Sequence, residues 1–238
     1  MTNAETLRKE LQELHVDPEK LHVHFDMDGT LYEWKNLTVD IPSDYEDMDT
    51  ESRNIYIQQE IYKQLLTPGY YQNLALHPAM AELMTTLYDA GIDVWVNSCS
   101  INSQTDNEKR IALSRDFPWL TKDHILLIPD GLGREKATFI DAVTISDHYI
   151  LIDDHTANCE AFAATALACG LHVYDCYTAM KCKNDINCKG GKWDGPVITY
   201  NDANFALYQF FLHVESLTGN RERRNGYADK YHADVQRE

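Results

Sequence analysis

Four short apolar runs, at residues 21–25, 92–96, 124–128 and 149–152, punctuate a chain whose other regular stretches have helical periodicity. Helices are expected over residues 79–88, 103–115 and 157–169, with Gly170 ending the last, and further strands over 171–174 and 197–199 before a final helix over 202–217. Strands that alternate with helices of ten or more residues cannot pair as hairpins. They imply an α/β fold with a mostly parallel sheet.

In such sheets ligands bind beyond the carboxyl ends of the strands. Three polar clusters fall there, each directly after a strand: Asp26 with Asp28, Asn97 with Ser98 in a turn ending at Ser100, and Asp153 with Asp154. Carboxylates are poor core material because burying them unpaired is costly. A solvated turn would account for Asp26-Met27-Asp28-Gly29 taken alone, since Asp and Gly are ordinary turn residues. Recurrence of polar clusters at three strand ends favours a site that holds a cation and performs chemistry.

Charge limits what that site can act on. The 238-residue chain has 38 acids against 21 Lys and Arg, a formal net charge of −17. Its overall field opposes non-specific binding to nucleic acid or anionic membrane. An anionic substrate would need a local cationic site, which a metal ion and one or two basic side chains could supply. No apolar run approaches the roughly 20 residues of a membrane span. The N-terminus is polar, with Leu7, Leu11 and Leu14 at helical spacing and not the pattern of a signal peptide, so a cytoplasmic location is expected. Six cysteines are too few for a disulfide scaffold in a chain of this size. Cys176, Cys182 and Cys188 with nearby His172 lack the short pair spacing usual in zinc sites, so they are read as reduced, incidental thiols.

The domain plan follows from breaks in the pattern. Residues 15–32 and 78–218 form the core, 1–14 an N-terminal helix, and 219–238 a polar tail. Residues 33–77 form an insertion with an acidic stretch, a helix near 50–66, and a stop at Thr67-Pro68-Gly69; its size suits a lid. The acidic run over 44–51 is read as a solvated face, and His22 and His24 as hydrogen-bonded strand histidines.

Asp26-Met27-Asp28-Gly29-Thr30 resembles the first motif of the haloacid dehalogenase-like (HAD) phosphohydrolases. Ser98 matches their second motif, Lys136 is a candidate for the third, with Arg134 and Lys122 as competitors, and Asp153-Asp154 matches the fourth. The resemblance covers residues 21–154, and the αβ pattern extends it to about 175. It implies a Rossmann-like HAD core, with the insertion at the place of a small helical C1-type cap. A closer similarity is to the 5'(3')-deoxyribonucleotidases (cytosolic type C). It rests on Trp34, six residues after Asp28, on Pro68-Gly69-Tyr70-Tyr71 through His77-Pro78, on Leu151-Ile152-Asp153-Asp154, and on Gly191-Lys192-Trp193-Asp194-Gly195. Thr30-Leu31-Tyr32-Glu33 departs from that group, which usually shows Val-Leu-Ala-Asp there, and Thr at this position is common in HAD phosphatases at large.

The resemblance implies a magnesium-dependent phosphomonoesterase. Asp26 would be the nucleophile, forming an aspartyl-phosphate, and Asp28 the acid that protonates the leaving oxygen and then activates water. Magnesium would be held by Asp26, Asp28 (through its backbone carbonyl) and Asp153, with Asp154 in support. Gly29, Ser98 and Lys136 would bind the phosphate, while Trp34 and Cys99 would contact the substrate. Trp34 could stack on a base or simply pack the insertion onto the core. The substrate class is a nucleoside monophosphate, or else another small phosphometabolite; binding without turnover is the non-enzymatic alternative. A homodimer is left open.

Overall fold

The computed structural model describes residues 2–34, 37–140, 148–168, 172–173, 177–179, 197–198 and 202–217. The Cys182/Cys188 loop with Cys176, the Gly191–Gly195 segment, Gly170 and the polar tail lie outside these residues.

Helix α1 (Asn3–Glu13) begins at a reciprocal cap: Thr2 Oγ1 accepts from Glu5 N at 3.2 Å, and Thr2 N donates to the Glu5 carboxylate at 2.7 Å. Strand β1 (Leu21–Phe25) leads to a two-residue strand, β2 (Tyr32–Glu33). Helix α2 (Thr50–Leu65) is capped by Asp49, which accepts from Ser52 N at 2.8 Å. Strand β3 (Ala75–Leu76) returns to pair antiparallel with β2, a small ribbon absent from the expectations above. Helix α3 (Pro78–Asp89) starts on a proline, which lacks only an N–H that the first turn leaves unbonded anyway. It buries Met80, Leu83, Met84 and Leu87, the spacing of one helical face.

The regular part continues with β4 (Asp93–Ser100), α4 (Ser103–Asp116), β5 (Ile125–Pro129), β6 (His148–Asp153), α5 (Thr156–Ala168), β7 (His172–Val173), β8 (Tyr177–Ala179), β9 (Val197–Ile198) and α6 (Ala203–Leu217). The main sheet runs β5-β4-β1-β6-β8-β9, with β7 also on β6, and all of its pairings are parallel. Numbered in chain order along this path, the strands read 3-2-1-4-5-6, the order of a doubly wound sheet. The order reverses between β1 and β6, the switch point at which sheets of this kind have their ligand crevice, past the carboxyl ends of the strands. Asp26 N donates to Ile152 O at 2.8 Å and carries the β1–β6 pairing up to that crevice.

One face of the sheet buries Val23 and Phe25 in a large core shared with Leu7 and Leu11 of α1, the apolar face of α3, and Phe210 and Val214 of α6. Leu65, Tyr70, Tyr71 and Leu74 of the insertion belong to the same core. The other face carries a smaller cluster of Tyr149, Leu151, Cys159, Phe162 and Ala137. The acidic stretch over 44–51 is largely exposed. No helix of the described residues is long and apolar enough to cross a membrane.

Two expectations need correction. Asn97-Ser98-Cys99-Ser100 is strand and not a turn, because β4 outruns β1 and stays paired with β5 through Ser100 and Pro129. Strand β8 lies between the strands expected over 171–174 and 197–199, where none was expected; it spans three residues, too few for an alternation signal.

A third concerns His24. His22 is hydrogen-bonded as expected, its Nδ1 standing 2.5 Å from Asp93 Oδ2. His24 is fully buried against Trp95, Phe162 and Tyr149, with ring centroids 5.6, 6.0 and 6.3 Å away, and neither of its nitrogens has a hydrogen-bond partner among the described residues. Burial, reinforced by His22, lowers its pKa to about 3. A histidine whose folded-state pKa lies below its unfolded value stabilises the fold fully above that unfolded value, near 6.5. The contribution is lost as pH falls from there toward the folded-state value. His24 should therefore cost about 2 kcal/mol of stability between pH 7 and pH 5. His24→Phe keeps a ring without a titrating group. Urea unfolding at the two pH values should show a smaller loss for this variant than for the wild type; equal losses would contradict the assignment.

Candidate active site

The residues expected at the site arrive from four places. Asp26, Asp28 and Gly29 lie on the loop leaving β1, Ser98 and Cys99 on β4, Lys136 on a short 3-10 helix (Gly133–Phe139), and Asp153-Asp154 at the end of β6. Because β1 lies between β4 and β6, these ends meet across the switch in strand order.

Lys136 is the hub. Its ammonium, 1% exposed, donates to Asp26 Oδ1 at 2.7 Å and to Asp153 Oδ2 at 2.5 Å. Burial works against its charge, yet Asp153 and Asp26 beside it hold its pKa above the ordinary lysine value. Asn97, also buried, donates through Nδ2 to Lys136 O at 3.3 Å and steadies the turn that presents the lysine. Lys136 thus contacts Asp26 and Asp153, whereas Lys122 begins a separate 3-10 turn before β5.

Asp153 is fully buried and well held. Its Oδ1 accepts from His155 N at 2.7 Å, and Asn158 Nδ2 stands 3.2 and 3.1 Å from its two oxygens. Asp154 sits beside it, and burial together with Asp153 and Asp26 raises its pKa well above the usual carboxylate range. Carboxylate oxygens of Asp26, Asp153 and Asp154 come within 4.8 Å of one another, close enough to share one ion. The Asp28 carboxylate stands outside this group.

That carboxylate is bound to a residue sequence reasoning missed. Lys109 of α4, 1% exposed, donates to Asp28 Oδ2, to the Cys99 carbonyl, and to Ser98 Oγ at 3.2 Å. The Tyr71 ring covers it, with its centroid 4.7 Å from the ammonium. Burial pushes the Asp28 carboxyl up, Lys109 pulls it back, and Asp26 pushes it up again; the net shift is upward. Next to Lys109, buried Glu108 accepts from Gly69 N at 2.8 Å and from Tyr71 N at 3.2 Å, tying the insertion to α4. The signal was periodic. Thr105, Glu108, Lys109, Ala112 and Leu113 form the buried face of α4, a stripe with two charges inside it.

Gly29 adopts φ +88°, a conformation that glycine accepts without penalty. A Cβ there would stand 2.3 Å from Asp154 Oδ2 and 2.7 Å from Trp34 Nε1, so the loop also needs glycine for space. Trp34 therefore lies over the acidic loop, partly buried against the core. Cys99 is a free thiol beside Gly133, and burial raises its pKa to about 11, which keeps it protonated and unreactive near neutrality. The insertion makes one further bond to this end of the sheet, from Tyr62 OH to Asp130 Oδ2.

If all four carboxylates here were ionised, they would exceed the two ammonium groups by two negative charges, which a divalent cation would balance. All donors in the triad are carboxylate oxygens, the ligand class of magnesium. The residues present fit such an ion.

No protein-family model matches the chain. No curated protein matches it. Among solved structures, a hydrolase from Pseudomonas syringae matches at TM-score 0.41 and 14% identity, over 80% of this chain and 97% of that one. A protein from Bacteroides vulgatus, provisionally named a beta-phosphoglucomutase, matches at 0.41 and 14%, over 89% and 97%. A protein from Burkholderia xenovorans, provisionally assigned as a haloacid dehalogenase-like hydrolase, matches at TM-score 0.50 and 13% identity, over 82% of this chain and 99% of that one. The chain has the Rossmann-like α/β fold of that haloacid dehalogenase-like protein, and its acidic crevice lies at the switch point of the sheet.

Proposed function

We propose that the protein is a magnesium-dependent phosphomonoesterase working through an aspartyl-phosphate on Asp26. The observation that carries this reading is Lys136 bridging Asp26 and Asp153 beside the Asp26/Asp153/Asp154 carboxylates. A carboxylate held against a buried ammonium, beside a place for a divalent ion, is arranged to meet a phosphoryl group, whose transfer depends mainly on positioning and charge stabilisation. Magnesium, when bound, would neutralise charge on the phosphoryl oxygens.

The chain's own groups supply the rest. Asp26 forms the bond to phosphorus. Asp28 gives its proton to the leaving oxygen and later takes one from the attacking water. Ser98 Oγ and the loop at Gly29 hydrogen-bond the phosphoryl oxygens, and Lys136 keeps Asp26 oriented. Residues 33–77 act as a cap over the crevice, an assignment supported by Tyr62–Asp130 and by Glu108 holding the turn at Gly69 and Tyr71.

The substrate is a nucleoside or deoxynucleoside monophosphate, with Trp34 stacking on the base. Its placement over Gly29, next to the phosphate loop, supports this finer reading. A panel of nucleoside monophosphates and sugar phosphates, assayed for phosphate release with magnesium, tests it. Nucleotides should be preferred by about tenfold or more in kcat/KM, the scale of one good stacking contact. A preference for sugar phosphates would remove the nucleotide assignment and leave the phosphomonoesterase in place.

A further inference from the structure

The phosphomonoesterase reading assigns Lys109 nothing, yet Lys109 is among the most completely buried charges of the described residues. All three of its ammonium protons have acceptors: Asp28 Oδ2, Ser98 Oγ and the Cys99 carbonyl. With Tyr71 covering the remaining approach, it has no donor left for a substrate. Asp28 is in the opposite condition. Its Oδ2 is taken by Lys109, while its Oδ1 is buried and accepts no hydrogen bond from the described residues. An orphaned buried acceptor is rare in folded proteins and calls for a reason.

We infer that Lys109 is a positioning residue that clamps Asp28 by one carboxylate oxygen, so that the other, Oδ1, is the atom that exchanges a proton with the leaving group and with water. The inference rests on the phosphomonoesterase reading and deepens it. Lys136 and Lys109 then divide the work, one fixing the nucleophile and the other the acid. Glu108 adds a link to the insertion, because the backbone it holds carries the ring that covers Lys109. The proton balance is closed: Oδ1–H is consumed when the ester oxygen leaves as an alcohol, and is restored from the water that attacks the aspartyl-phosphate.

In kcat/KM, which reads only the steps up to departure of the leaving group, a residue that acts through the acid matters only where that group needs a proton; the later attack of water, which also uses Asp28, is common to both esters and enters kcat. The test compares p-nitrophenyl phosphate, whose phenolate departs unaided, with the best alkyl phosphomonoester of the panel. Lys109→Met should lower kcat/KM about 10- to 100-fold on the alkyl ester and less than about 3-fold on the aryl ester. In the Asp28→Asn background the same change should add less than about 3-fold, because the group it positions is already gone. Equal losses on both esters, or multiplicative losses in the double variant, would overturn the inference. Should Lys109→Met not fold, Lys109→Arg carries the same comparison, since it keeps the charge and splays the donors. A loss skewed to the alkyl ester supports the clamp, and an unskewed loss overturns it. A wild type that releases phosphate from no ester overturns the phosphomonoesterase reading, and this inference with it.

Discussion

Asp26→Asn is expected to lower magnesium-dependent phosphate release by at least about 10³-fold, with KM little changed. The amide has the shape of the carboxylate, and its Oδ1 can still accept from Lys136, so the fold should survive. What it lacks is the charge and lone-pair basicity to form a bond to phosphorus. In kcat/KM the loss should be similar for alkyl and aryl esters, which separates it from the selective loss expected there of Asp28→Asn. Steady-state phosphate detection with both ester types checks the magnitude, and thermal unfolding checks that the variant folds. Turnover within tenfold of the wild type would remove Asp26 from the chemistry.

Lys136→Met should damage both stability and activity. It removes the counter-ion of two buried carboxylates, and breaking a buried ion pair from one side costs about 3–5 kcal/mol. The loss of orientation and charge at Asp26 should lower kcat about 10²- to 10³-fold. The stability defect carries its own signature. Without the ammonium, the Asp26/Asp153/Asp154 group has one positive charge fewer, so a divalent cation should bind the folded state more tightly than in the wild type. Ligand binding to the folded state stabilises it by mass action, so magnesium should raise the unfolding temperature of Lys136→Met more than that of the wild type. Equal magnesium responses would show that the three carboxylates do not share an ion.

Much of the scaffold was legible because a doubly wound sheet writes itself plainly. Strands buried on both faces show as apolar runs, as at residues 149–152, and helices show a 3.6-residue stripe, as in Met80, Leu83, Met84 and Leu87 of α3. The acids at strand ends were legible because the carboxyl edge of such a sheet is where polar residues follow apolar runs. Asn97 and Ser98 misled as to structure for the same reason: polar residues that serve a site inside a strand look like a turn. The His24 partners were not legible, since a strand pattern shows burial but not which groups surround the ring.

Lys109 and Glu108 were missed for a different cause. A charged residue on a helix is read as solvent-facing, because Lys and Glu are rarely buried fully unless paired. Both are paired here across large sequence separations, Lys109 with Asp28 and Glu108 with the backbone at Gly69 and Tyr71. No local pattern encodes such a contact. Only the Thr105–Lys109–Leu113 spacing hinted that this face of α4 points inward. Asp154 was placed in support of the metal group, and the fold sets its carboxylate within the same 4.8 Å as those of Asp26 and Asp153. Adjacent residues at the end of a strand can converge once the chain turns, which sequence order does not show.

The central claim is that Asp26 carries the phosphoryl group. Acid quenching during turnover, followed by mass spectrometry of the peptide containing Asp26, tests it directly. The account predicts one phosphoryl group on that peptide in the wild type with magnesium and substrate, and none in Asp26→Asn. Sustained phosphate release with an unmodified Asp26 peptide at every quench time would contradict it.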